Sequence, residues 1–163
     1  MPGLLPSNLH RKNDRHYPAR PLLGVGALIF RRDKVLLVQR GKEPLKGYWS
    51  LPGGLVETGE RLEAAIEREV AEETGLKVRA HYLAEVFQRI MHDAEGRAEY
   101  HYVLADYFCR VRKDGPAVPQ AGDDAGSVAW VKIEDLGSVL LTEGTKEVVE
   151  RVYAKHKRRN ARI

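Results

Sequence analysis

Three glutamates lie on the wrong side of a helix. The stretch from Leu62 to Thr74, LEAAIEREVAEET, is built of good helix formers, and Gly75 stands where a helix ends. With Glu69 at the origin and about 100° of turn per residue, Leu62, Ile66 and Val70 fall at about 20°, 60° and 100°. Glu69, Glu72 and Glu73 fall at about 0°, 300° and 40° on the same wheel. Carboxylates and apolar stripe therefore share one arc, whereas Glu63 and Glu67, at about 120° and 160°, come closer to the opposite side. Turned inward together, three carboxylates repel, and burial disfavours their charged form unless a cation compensates. The ligands on offer are all oxygens, and no Cys or His pair stands at ligand spacing. Such a set suits a hard divalent ion, Mg2+ or Mn2+, and disfavours zinc. A hard ion of this kind commonly works on a phosphate-bearing substrate.

The rest of the chain is organised around this helix. The runs 24–31 and 34–40 are rich in β formers and separated by Arg32-Asp33, which predicts an antiparallel hairpin. A short strand over 48–51 runs into Pro52-Gly53-Gly54, a breaker at which backbone can approach a ligand closely. Further strands are expected at 78–90, 99–111 and 127–133, and a last helix from near Thr142 that turns Val148, Val149, Val152 and Tyr153 inward. This order predicts a mixed sheet covered by helices. Its boundaries are a basic arm over 1–20 read as flexible, one domain over 21–156, and a basic tail over 157–163.

Composition narrows the partners. Apolar residues make up 43% and charged residues 31% of the 163 positions, and no apolar run is long enough to span a bilayer. The leading residues carry three prolines and a polar stretch instead of an export signal, so the cytoplasm is the expected compartment. Cys109 is the single cysteine, and its apolar, aromatic neighbours predict burial. The net charge of +4 comes from the ends, with +3 in residues 1–20 and +6 in 151–163, which leaves the middle at −5. An acidic body with short basic ends is not expected to take nucleic acid as its partner.

From Gly54 onward the chain reads Gly54, five residues, Glu60, seven residues, Arg68-Glu69-Val70, one residue, Glu72-Glu73, one residue, Gly75-Leu76. This resembles the Nudix box at every defining position. Weaker likeness to the Nudix hydrolases extends over about 22–156 and includes the lead-in Leu51-Pro52-Gly53-Gly54 and the segment Ala129-Trp130-Val131. The resemblance implies an α/β/α sandwich with a mixed, curved sheet between helices. It also implies a pyrophosphohydrolase in which Glu69, Glu72 and Glu73 ligate Mg2+ or Mn2+, with Gly54 counted among the metal ligands. Glu60 and Arg68 match an ion pair that braces the loop.

The resemblance leaves the general base open, since family members take it from the box or from a later loop. Asp124 or Asp123, in a Gly-flanked loop, is favoured here over Asp93, Glu95 and Glu99. Arg40 is the candidate for pairing with a phosphate, and Tyr48, Trp49 and Phe87 for stacking on a base. The lead-in resembles both ADP-ribose or sugar-nucleotide pyrophosphatases and enzymes that hydrolyse nucleoside triphosphates. ADP-ribose is the leading expectation, triphosphate hydrolysis the alternative, and a ligand- or RNA-binding module the alternative of another class. The arm is long enough to reach a second copy, which leaves a homodimer open.

Overall fold

Continuous runs of buried, β-prone residues and a tight turn build the first hairpin. In the computed structural model, which describes residues 15–122 and 124–162, β1 (Leu22–Arg31) and β2 (Lys34–Arg40) are antiparallel and join through Arg32 in the left-handed region, φ 54°. The far edge of β1 takes β6 (Ala98–Val111) in parallel, from Leu22 opposite Tyr102 to Ile29 opposite Cys109. β5 (Val78–His92) closes a long antiparallel ribbon with β6, its register shifting at three irregularities. β3 (Trp49–Ser50) and β7 (Ala125–Lys132) both pair with β2, giving a seven-stranded mixed sheet of order β3-β2-β1-β6-β5. Residues 133–138 form a 3-10 turn.

α1 (Leu62–Thr74) and α2 (Thr145–Asn160) pack over separate clusters on the two sides of the sheet. Val25, Ala27 and Ile29 join Ala65, Ile66 and Val70 in one core, while Leu28, Val35 and Leu37 join Val148, Val149 and Val152 in the other. Each fully buried aliphatic side chain contributes about 1.5–3 kcal/mol. The layered α/β architecture is the expected one, and α1 has the expected bounds, ending at Gly75 with φ 71° and a backbone bond to Ala71 O.

Three local features differ from the sequence reading. Pro52-Gly53-Gly54 does not merely break structure, for Gly53–Leu55 forms β4, antiparallel to Gly24–Gly26 of β1. Glycines on both strands allow an approach that side chains would block. An added Cβ at Gly53 would stand 1.9 Å from Val25 O. We therefore expect Gly53→Ala to lift β4 from β1 and cost about 2 kcal/mol in urea unfolding. A loss below a few tenths of a kcal/mol would show that the contact is readily relieved.

The last helix begins at Thr145, after a Thr142 Oγ1 to Thr145 Oγ1 bond of 2.7 Å, rather than at Thr142. It also continues through Lys157, Arg158 and Arg159, which sit in its final turn where the helix dipole favours cations. Much of the basic tail is thus helix end. Glu67, which the wheel places nearer the side opposite the apolar stripe, accepts the Ala80 N–H at 3.1 Å, at one of the β5 irregularities. Among the described residues no helix is long and apolar enough to cross a membrane.

Candidate active site

β4 and α1 meet where the two glycines face the glutamates. Gly53 N–H donates to Glu73 Oε2 at 3.1 Å. Gly54 has no side chain, and a Cβ there would fall 2.4 Å from the carboxyl carbon of Glu69. The backbone turn and the carboxylate therefore occupy adjoining space that only glycine leaves open.

Arg68 ties the loop to the helix. Its Nε and Nη2 donate to Glu60 at 2.7 and 2.9 Å, a two-pronged pair, and Nη2 also reaches Leu55 O at 3.2 Å. Nη1 donates to Glu69 at 2.8 Å and lies 3.3 Å from Glu72. The Arg68 hydrogen bonds hold the Glu60 carboxyl down at about 2. That shift gives a test with a defined sign. A depressed carboxyl stabilises the fold above its ordinary value, 4.5, and loses that contribution as pH falls toward about 2. The stability deficit of Glu60→Gln in urea titrations should therefore be full at neutral pH and shrink across that acid window. A deficit that does not change with pH would remove the ion pair as its cause.

The glutamates differ in exposure. The Glu69 side chain is 14% exposed and the Glu72 side chain 58%. Burial raises the Glu69 carboxyl against the opposing pull of Arg68. Burial also pushes Glu73 up to about 8, opposed by the Gly53 hydrogen bond and reinforced by the charge of Glu69. Among the described residues no three acidic, His or Cys side chains already converge as a metal cage. Glu69 and Glu72 are drawn to Arg68 while Glu73 is drawn to Gly53. Two neighbouring carboxylates whose charge burial disfavours, with a third largely exposed beside them, form an oxygen-only donor set with more negative charge than the Arg68 contact alone offsets. That set fits a hard divalent ion.

The other sequence candidates are spread around this centre. Asp124 is 75% exposed and pairs with Lys42 at 2.5 Å, which holds its carboxyl below the ordinary value. Asp123 lies outside the described residues. The segment before them is fastened to the end of α1 by Gln120 N–H to Thr74 O and Gly122 N–H to Glu73 O, both at 2.9 Å. Arg40 donates to Pro44 O at 2.8 Å, and its charge favours the ionised form of Glu73. Tyr48 is half-buried. Trp49 and Phe87 pack against the α2-side core, with Phe87 directly over Gly144. Cys109 is buried and its thiol is pushed up to about 12.

Two residues absent from the sequence candidates enter the picture. Arg89 donates from Nη2 to Thr142 Oγ1 and Glu143 O at 3.2 and 3.0 Å, while its Nε is buried without a partner. Burial, and after it the charge of Arg40, lower its pKa. Asp106 is buried in β6, its Oδ1 2.3 Å from where a Cβ on Gly26 would be. Burial and the charge of Glu85 push it up to about 7, against Arg89. The available signal was a charged residue inside the run Val103-Leu104-Ala105-Asp106-Tyr107-Phe108-Cys109, whose other members are apolar or aromatic.

Comparison with known proteins accords with this geometry. The family model described as NUDIX domain matches residues 20–153. The ADP-ribose pyrophosphatase of Methanocaldococcus jannaschii is 34% identical over 116 residues, which cover 71% of this chain and 64% of that protein. The match therefore spans just under two thirds of that relative's length. A NUDIX hydrolase from Nitrosomonas europaea superimposes with a TM-score of 0.70 over 83% of this chain and 90% of its own, at 24% identity, a likeness of fold. The NUDIX domain of Shewanella oneidensis NrtR, solved in complex with ADP ribose, gives 0.65 over 83% and 88% at 25% identity.

Proposed function

The chain belongs to the Nudix family, and on that premise we propose that it is a metal-dependent pyrophosphohydrolase. Its substrate in this reading is a nucleoside diphosphate linked to a second group, with ADP-ribose or a related sugar nucleotide in the lead. The observation that carries it is the seating of Glu73 on Gly53 and of Glu69 against Gly54, in a loop and helix held by Glu60 and Arg68. The choice of ADP-ribose draws on the activity named for the Methanocaldococcus jannaschii relative and the ligand of the Shewanella oneidensis domain.

Glu69, Glu72 and Glu73 would hold Mg2+ or Mn2+. Bound there, the ion would offset the charge of the diphosphate and make water a stronger nucleophile. The residues of the chain do the rest. Gly53 N–H fixes one carboxylate oxygen of Glu73, and Arg68 orients Glu69. Arg40 and Arg89 supply positive charge for phosphate oxygens. A water oxygen forms a bond to one phosphorus, the bond from that phosphorus to the bridging oxygen breaks, and the second phosphate leaves with the electron pair. Asp124 or Asp123 accepts the water's proton in this reading, which the fastening of Gly122, two residues before Asp124, to Glu73 O at the end of α1 supports for Asp124.

A panel of ADP-ribose, sugar nucleotides, dinucleoside polyphosphates and nucleoside triphosphates, incubated with Mg2+ or Mn2+, tests the proposal. AMP and ribose 5-phosphate from ADP-ribose are the expected products. Turnover of triphosphates alone would remove the substrate choice, and no turnover of any diphosphate linkage would remove the activity.

A further inference from the structure

β1 and β6 run side by side only as far as Ile29 opposite Cys109. Beyond that pair Phe30 and Arg31 stay with Val35 and Lys34 of β2, while Arg110 and Val111 stay with Arg79 and Val78 of β5. The two parallel strands therefore part at their carboxyl ends. A cavity of about 360 Å3 opens in the gap, its lining including Phe30, Arg31, Arg110, Trp130, His156 and Asn160. A crevice beyond the carboxyl ends of parallel strands is a common place for a ligand. It lies well away from the glutamates, since Gly53 and Gly54 pair with Gly26 and Val25 and Arg31 is about 17 Å further along β1.

The cleft is cationic, and aromatic rings rather than carboxylates hold its cations. The Arg31 guanidinium stands over the Trp130 ring at 4.5 Å and that of Arg110 over the Phe108 ring at 5.7 Å. His156 packs on Phe30 and Phe108 at 5.7 and 5.0 Å, and Asn160 Nδ2 donates to its Nε2 at 3.1 Å. One ring further out, Arg159 stands over Tyr82, which stacks on Phe108 at 5.1 Å. No acidic side chain lines the cavity among the described residues. The ion pairs of those residues engage Arg61, Arg68, Arg97, Arg112 and Arg151, but not Arg31, Arg110 or Arg159. A carboxylate occupies the in-plane N–H fork of a guanidinium, whereas an aromatic face leaves that fork open to an anion. Arg31 directs one donor, Nη2, to Ala117 O at 3.2 Å, which fixes the group in place.

We propose that this cleft is an anion site separate from the glutamates, with Arg31 and Arg110 donating to the phosphate of a small phosphomonoester. A dianion offsets two guanidinium charges that no carboxylate of the cavity balances, and planar forks match its oxygens. The volume exceeds that of a bare anion and reaches the range of small-molecule sites, which leaves room for the group that carries the phosphate. Such a site is independent of whether the glutamates support hydrolysis.

The two tryptophans, Trp130 and Trp49, give two indole N–H signals in a nitrogen–proton correlation spectrum, one reporting on the cleft and the other on the core under α2. Trp130→Phe assigns them. Titrated with inorganic phosphate in EDTA, the full chain should show a saturable shift of the Trp130 signal while that of Trp49 stays in place, and ribose 5-phosphate should act in the same way. Arg31→Ala and Arg110→Ala should each weaken binding about tenfold, with the lysine variants recovering part of the loss. Thermal melts check the fold, and glutamine variants replace any alanine variant that melts early. Glu72→Gln should bind phosphate as the wild type does. An unsaturating drift, or an equal response to chloride at matched ionic strength, would reduce the effect to screening and overturn the site. Unchanged affinity in the folded Arg31→Ala, Arg110→Ala double variant would overturn it as well. Loss of the Trp130 response in Glu72→Gln would move the bound phosphate to the glutamates, with the same consequence. Binding of inorganic phosphate without binding of ribose 5-phosphate would overturn the assignment to a phosphomonoester.

Discussion

Glu73→Gln is expected to lower kcat by about 10³-fold while leaving the metal-free fold at least as stable as the wild type. The substitution keeps the size of the side chain and an oxygen to accept the Gly53 N–H, so the helix and loop retain their contact. It removes the negative charge on which a divalent cation depends. The same charge is costly to the empty protein, because burial beside Glu69 pushes this carboxyl up to about 8. Folded protein then binds the proton more tightly than unfolded chain, so wild-type stability in EDTA falls as pH climbs from 4.5 toward about 8. A glutamine has nothing to ionise and escapes that loss. Melting curves should place the variant level with the wild type or a few degrees above it near neutral pH, at about 2–4 °C per kcal/mol. Added Mg2+ should raise the melting temperature of the wild type more than that of the variant. Turnover within tenfold of wild type would mean that Glu73 is no ligand.

Gly54→Ala should be nearly as damaging by a steric route, lowering kcat/KM by about 10²-fold. The added methyl would sit 2.4 Å from the carboxyl carbon of Glu69 and 2.5 Å from both its oxygens. Arg68 grips that carboxylate at 2.8 Å and is itself locked to Glu60, so retreat of Glu69 disturbs the whole brace. The cost to stability should be only about 1 kcal/mol, because the clash falls on a side-chain end rather than on backbone. Gly126→Ala is the matched control, since a Cβ there meets nothing closer than 3.5 Å. Equal kinetics for the two alanine variants would show that the Gly54 to Glu69 contact is unimportant.

What could be read in the sequence followed from residue type, spacing and helical periodicity. Helix 62–74 announces itself through good helix formers, an apolar arc and Gly75, the first strand pair through β-rich runs around Arg32-Asp33, and the glutamates stand out because they share the apolar arc. β4 stayed hidden because Gly53-Gly54 has no side-chain pattern, and glycine reads as a break wherever backbone approaches backbone. Arg89 and Asp106 are each one of three charged residues in a long strand, and what they face depends on irregularities and on a partner element more than 50 positions away. Glu67 follows the same logic, since the N–H it satisfies belongs to a strand the helix meets only in three dimensions.

Glu69, Glu72 and Glu73 are proposed to hold a divalent cation together. Titration of Mn2+ followed by the electron paramagnetic resonance signal of the free ion tests this without reference to any substrate. Wild type should remove free Mn2+ from solution, and the Glu69→Gln, Glu72→Gln, Glu73→Gln triple variant should leave it free at the same protein concentration. Equal Mn2+ uptake by the folded triple variant and the wild type would remove these three glutamates as the ligands.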